Sequence, residues 1–246
     1  MAKKGKLAFG IEPSDRSYRL RLARYKGLGE AVAAHVRHHA NGNARMKLLD
    51  VGMGSGRSMR FIEAEGDDVV GRLDFIGVDL SPRRLDSVYK PGNWTRVQGD
   101  VTKGLPFESA RFDVVVCEQV LEHLHEPARV LREMGRVLKT GGLLVVGVPT
   151  FWPGLSQIRR HVIPRIDRAF GRDRGHVQVF TLTDVRKVVH DAAVFDLVEA
   201  RGFRVLSGGP LSPLENTRWW WRFNRRLGKA VPALCIEIQV LARRKA

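Results

Sequence analysis

Residues 48–58, LLDVGMGSGRS, decide the fold. An apolar run closes on an acid, Asp50, and soon gives way to glycines at 52, 54 and 56, after which Arg57 and Ser58 open a stretch with helical spacing. Glycine reaches backbone angles that side chains forbid and leaves the main chain bare, so this is a strand-to-helix turn that a ligand can approach closely. The first half of the chain repeats the alternation. MKLLDV (46–51) reads as the first strand and Arg57 to Glu65 as its helix. LDFIGVDL (73–80) is a second strand, with Ser81 placed to cap a helix that begins at Pro82. WTRVQGD (94–100) and FDVVVCE (112–118) follow as strands, Pro127 to Lys139 as an amphipathic helix stopped by Gly141-Gly142, and GLLVVGVP (142–149) as a fifth strand. Strands alternating with helices predict an α/β fold, a doubly wound and mostly parallel sheet with helices on both faces.

The second half is less regular. Residues 150–180 form a loop-rich insert of the kind that often carries specificity, then a helix is expected over Thr181 to Ala200, a strand over GFRVLSG (202–208) and a last strand over ALCIEIQVLARR (233–244). Upstream, Asp15 to His39 reads as one or two basic helices. The expected layout is a basic helical segment over 1–44, a candidate lid, and one domain over 45–246 that carries the 150–180 insert and the Trp-rich helix.

Composition narrows the setting. The 42 Lys and Arg against 26 Asp and Glu leave a net charge of +16, which suits phosphate-bearing partners, whether nucleic acid or an anionic membrane surface. Cys117 and Cys235, the only cysteines, sit in apolar runs that read as strands, without zinc spacing, which fits a reducing, cytoplasmic setting. The N-terminal apolar run, Leu7 to Phe9, is far shorter than the roughly 7–15 residues of a secretion signal. Leu143 to Leu155 is broken by Gly147, Pro149, Pro153 and Gly154 and falls short of the roughly 20 residues of a membrane span.

Around the glycine loop stand three acids at strand ends. The spacing is GxGxG rather than the GxGxxG of dinucleotide sites, with Arg57 where the third glycine would be, which counts against NAD. Asp79 ends the second strand, where a carboxylate can accept hydrogen bonds from both hydroxyls of a ribose. Asp100 ends the third, placed to accept from an adenine amino group, and Asp50 ends the first, where it could meet a ligand ammonium. A nucleoside carrying an amino acid suits all three.

These stretches, together with QGDVTKGLPFESARFDVVVCEQVLEHL, RVLKTGGLLVVGVP and GHVQVFTLTDV, resemble the class I S-adenosylmethionine-dependent methyltransferases over roughly Arg45 to Phe203. The resemblance implies a Rossmann-like, seven-stranded sheet with the last strand antiparallel, and S-adenosylmethionine lying across the ends of strands one to four. It implies that Gly52, Gly54 and Gly56 line the methionyl part, Asp79 the ribose, and Asp100 with Val101 the adenine, Asp50, Leu80 and Glu118 completing the set. Met53 departs from the smaller residue more usual between the first two glycines, a change the bare backbone on either side tolerates.

CEQVLEHLHEP (117–127) offers Glu118, Glu122, His123 and His125 near the expected methyl group, and His123 is the candidate general base for a hydroxyl acceptor. The competing reading makes His123 structural. Related quinone and small-RNA methyltransferases place a divalent metal on a similar motif, but Gln119 replaces the first carboxylate, so no metal is expected, even with His176 available as a later ligand. His35, His38 and His39 read as a solvated helix face. Trp152, Arg159, Arg160 and His176 are candidate substrate contacts.

The stretch NTRWWWRFNRRLGK (216–229) lies between the last two expected strands. On a helix turning about 100° per residue, Arg218, Arg222, Arg225, Arg226 and Lys229 share a face, with Trp219, Trp220, Phe223, Leu227 and Ala230 opposite and Trp221 at the boundary. The expected helix spans 216–230. Three readings compete: aromatics packed on the domain, an interfacial helix on anionic lipid, and nucleic-acid binding, in that order. The combined expectation is an O-directed methyltransferase for a small-molecule, sugar or lipid-linked glycan acceptor, cytoplasmic or peripheral on the inner face of the membrane. An RNA methyltransferase and a non-catalytic cofactor-binding scaffold are the alternatives.

Overall fold

A computed structural model of the chain describes residues 20–39, 44–86, 94–151, 177–205, 207 and 209–246. Its centre is a seven-stranded sheet in the order β3-β2-β1-β4-β5-β7-β6, built from β1 (Met46–Val51), β2 (Leu73–Asp79), β3 (Trp94–Gln98), β4 (Phe112–Glu118), β5 (Leu138–Pro149), β6 (Phe195–Phe203) and β7 (Glu237–Arg244). Strands β1 to β5 pair in parallel, while β7 runs antiparallel between β5 and β6. This is the expected sheet, with its last strand inserted as the resemblance implied.

Because the central strands are buried on both faces, successive residues feed two cores. Leu48, Val114, Val116 and Val145 face α1 (Ala23–His39), α2 (Arg57–Glu63), α3 (Asp67–Val70) and Leu85 of α4 (Pro82–Asp86). Leu49, Val115, Cys117 and Val146 face α5 (Pro127–Val137) and α6 (Leu182–Asp191). The parallel direction brings the carboxyl ends of β1, β2 and β4 to one edge, beside the glycine loop.

Several boundaries differ from expectation, each for a physical reason. Helix α5 stops at Val137, and β5 starts at Leu138, because Leu138 already pairs with Phe112 across a register shift while Gly141 takes a left-handed turn (φ 74°) inside the strand. Helix α6 begins on the Thr181/Asp184 capping box but ends at Asp191 rather than Ala200. Ala193 breaks it in a left-handed conformation (φ 62°), and Phe195–Phe203 pairs with β7 instead of coiling. Cys235 is not in a strand; it follows the short turn Pro232–Leu234 and lies buried, near enough to Gly202 that a Cβ there would collide with its sulfur.

The Trp/Arg stretch does form a helix, α7 (Arg218–Ala230), but rotated from the expected setting. Its buried stripe is Trp220, Asn224 and Gly228, whereas Trp219 and Phe223 face outward. Gly228 decides this, since its backbone lies so close to the Gly202 carbonyl of β6 that a Cβ could not fit. Trp220 then packs with Leu20, Ala23 and Phe203. Arg225, expected among the solvated cations, instead forms a two-pronged pair with Glu30 of α1 at 2.9 and 2.5 Å.

Gly228→Ala should therefore cost about 1–3 kcal/mol, the usual range for overpacking a tight contact. Thermal unfolding measures it: a melting temperature several degrees lower is expected, and an unchanged one would show that the crossing has slack.

Candidate active site

The glycine loop leaves β1 with left-handed angles at Gly52 (φ 72°), Gly54 (φ 55°) and Gly56 (φ 76°), three in five residues, where side chains carry a strain cost. Asp79 holds its shape. Oδ2 accepts the Gly54 N–H at 2.9 Å and Oδ1 accepts the Ser81 N–H at 2.8 Å, so one carboxylate ties the loop to the end of β2. Each oxygen keeps a further lone pair for a ligand hydroxyl. The space beside Gly54 is open, with nothing within 4 Å of where a Cβ would stand.

A cavity of about 360 Å³ lies over this loop, lined by Gly52, Met53, Gly54, Ser55, Arg57 and Ser58 from the loop and α2, Tyr25 from α1, Arg84 and Glu118. Asp50 lies behind it, buried and bonded by the Ser58 hydroxyl, with Oδ2 unpartnered among the described residues. Leu80 is 65% exposed beside Asp79, an apolar surface that a flat ring could cover. Asp100, at the end of β3, accepts from the Thr102 N–H at 3.0 Å and hydroxyl at 2.6 Å, and those bonds hold its carboxyl below the usual range. Val101 opens onto a neighbouring cleft with Lys103, Arg129 and Arg136.

Sequence reading missed the residues that hold Glu118 and Tyr25 in the cavity wall. Arg24 of α1 reaches across to Glu118, Nη1 to Oε2 at 3.3 Å, and also donates to the Tyr25 hydroxyl at 2.9 Å. Gln239 of β7 donates to Glu118 Oε1 at 2.5 Å and to the Arg24 carbonyl at 2.8 Å. A polar residue within the apolar run of the last strand was the available signal for Gln239. Arg24, in a generally basic helix, gave none. The described part of the N-terminal segment thus contributes directly to the wall of the site.

The loop after β4 is strained. Gln119 adopts a left-handed conformation (φ 58°) while its N–H donates to the Gly147 carbonyl at 2.8 Å, and its Nε2 has no partner among the described residues. Strain of this kind in a non-glycine residue clusters at functional sites. Glu122 is buried, with Oε2 unpartnered among the described residues, and its backbone carbonyl receives the N–H groups of Val177 and Gln178 at 2.9 and 3.0 Å. His123 and His125 are exposed on the same loop and do not line the cavity. Trp152, Arg159, Arg160 and His176 lie outside the described residues.

Three buried carboxyls share this edge, and burial raises each. Asp50 is pushed up to about 7, against the pull of the Ser58 hydroxyl. Glu118 also reaches about 7, with Arg24 and Gln239 pulling the other way, and Glu122 about 7, with its own backbone N–H and Arg24 opposing. A carboxyl whose folded pKa lies above its unfolded value binds more protons when folded. Its stabilising contribution is full below the unfolded pKa and is lost as pH rises towards 7.

The residues fit a nucleoside bearing an amino acid: open backbone at Gly54, a carboxylate at the end of β2, an exposed leucine beside it, and unpartnered buried polar atoms behind. The family profile described as Methyltransferase domain matches residues 49–146. An uncharacterized 37.1 kDa protein in a transposon of Streptomyces fradiae is 31% identical over 195 residues, 70% of this chain and 55% of its own. The ubiquinone biosynthesis O-methyltransferase of Erwinia tasmaniensis is 34% identical over 107 residues, 44% of each chain. The chain thus spans about half the length of these curated relatives. The structure of an S-adenosylmethionine dependent methyltransferase from Mesorhizobium loti superposes with a TM-score of 0.57 at 17% identity, over 89% of this chain and all of that one. Residues 49–146 thus match a methyltransferase domain, and the sheet around them has the fold of an S-adenosylmethionine dependent methyltransferase.

Glu122→Gln removes one of the three raised carboxyls. The variant should gain stability over the parent at about pH 8 and lose that advantage below about pH 4.5, where both side chains are neutral. Denaturant unfolding at the two pH values decides it; an advantage that does not change with pH would mean that Glu122 is not raised.

Proposed function

We propose that the protein transfers the methyl group of S-adenosylmethionine to an oxygen of a small-molecule, sugar or lipid-linked acceptor, working on the cytoplasmic side with the acceptor reached at a membrane surface. The observation that carries the reading is the open cavity over the glycine loop, with Asp79 fixing the loop and still able to accept hydrogen bonds. The oxygen acceptor is supported by the ubiquinone biosynthesis O-methyltransferase, whose likeness covers 44% of this chain.

In this reading Gly52, Gly54 and Gly56 admit the methionyl part, with Asp50 and Glu118 at its amino-acid end. Asp79 holds the ribose, and Asp100 and Val101 the adenine, with the exposed Leu80 beside its ring. The bound cofactor supplies a methyl group on a positively charged sulfur, so the leaving group is already activated and positioning supplies much of the rate. Glu118, clamped by Arg24 and Gln239, keeps the wall of the site rigid. His123, exposed on the loop after β4 and outside the cavity over the glycine loop, is the proposed base for the acceptor hydroxyl. Trp152, Arg159, Arg160 and His176 are kept as proposed acceptor contacts on their sequence position alone.

Titration with S-adenosylmethionine tests the proposal. Asp79→Ala, which removes the anchor of the loop and the acceptor for ribose hydroxyls, should weaken binding by about 100-fold, as for two hydrogen bonds to a charged group. Circular dichroism on the same samples separates this from unfolding. A folded wild-type protein that binds no S-adenosylmethionine would end the reading.

A further inference from the structure

Helix α7 is held to the domain by one stripe and presents another. With Trp220, Asn224 and Gly228 buried and Arg225 tied to Glu30, the outward ridge is Trp219 and Phe223, four residues apart and 59% and 43% exposed. Arg222, Arg226 and Lys229, all exposed, form the adjoining ridge. The aromatic ridge is rigid. Trp219 meets Trp220 edge-on at 5.3 Å between ring centroids, and Phe223 stacks on Trp220 at 5.5 Å, so the buried indole props both rings outward. Leu234, 45% exposed, follows in the short turn after the helix. None of these residues lines the cavity over the glycine loop.

We infer that this face docks the protein on an anionic phospholipid surface. The arginines and lysine meet the headgroup phosphates, and Trp219 and Phe223 enter beside them at headgroup depth, the arrangement of an interfacial helix. The net charge of +16 adds long-range attraction to the same surface. Nucleic acid fits less well, because stacking on bases needs open ring faces and one face of Phe223 is already covered by Trp220. No described helix is long and apolar enough to cross a membrane, so this contact is peripheral. The inference deepens the reading of a lipid-linked acceptor and rests on it for its purpose, while the binding itself needs no transfer.

Sedimentation of the full chain with vesicles of phosphatidylcholine, or of phosphatidylcholine mixed with phosphatidylglycerol, tests it. Strong binding is expected only to the mixed vesicles. R222A/R226A should weaken it about 30-fold, and W219A/F223A at least about tenfold, with S-adenosylmethionine titration unchanged in both. The docking is overturned if the wild type ignores the mixed vesicles, binds neutral ones equally, or keeps its affinity in both variants. It is also overturned if the variants lose affinity for single-stranded RNA while vesicles are never bound. Failure to dock with cofactor binding intact strikes this inference alone; docking without cofactor binding strikes only the methyl-transfer reading.

Discussion

The site depends on one carboxylate used twice. Asp79 ends a strand buried on both faces, and its two oxygens take the N–H groups of Gly54 and Ser81, so the glycine loop and the turn after β2 are fixed to each other. Without that anchor, three left-handed glycines in five residues would leave the loop many conformations, and the cavity above it would have no constant floor. The parallel sheet explains why the anchor lies where it does. Strands that run the same way present their carboxyl ends together, and this is the edge at which ligands of such sheets gather.

A second joint holds Glu118 in the wall of the cavity. Arg24, Glu118 and Gln239 come from α1, β4 and β7 and meet in the interior, with Arg24 and Gln239 separated by 215 positions in the chain. Burying an ion pair costs desolvation that its attraction does not always return, so its presence beside a ligand cavity points to positioning rather than stability. The same burial raises Asp50, Glu118 and Glu122 together, concentrating the groups that titrate near neutrality at the edge where chemistry would occur.

What the sequence disclosed follows from which signals are local. β1, β2 and β4, the glycine turn and Asp79 were legible because a strand, a turn and a helix follow within a few residues, each with its own chemistry. β6 was not, because an edge strand with most of its residues at least partly exposed shows no alternation, and FDLVEARGF passes for the tail of α6. The face of α7 was misjudged for a related reason. A helical wheel separates charge from apolar bulk, but the seat was chosen by Gly228, whose missing side chain permits the closest approach. Arg24 and Gln239 act on a residue far away in the chain, and nothing local marks Arg24.

In the proposed function this chain moves a methyl group from S-adenosylmethionine to an oxygen of a small or lipid-linked acceptor. Its most direct test is to incubate the full chain with S-adenosylmethionine carrying a labelled methyl group and separate small-molecule, lipid, glycan, RNA and protein fractions of a cell extract. Label is expected in the small-molecule, glycan or lipid fraction, as an ether methyl that withstands mild base and is released as iodomethane by hydriodic acid. Label confined to RNA or protein, or no transfer by a chain that binds the cofactor, would contradict it.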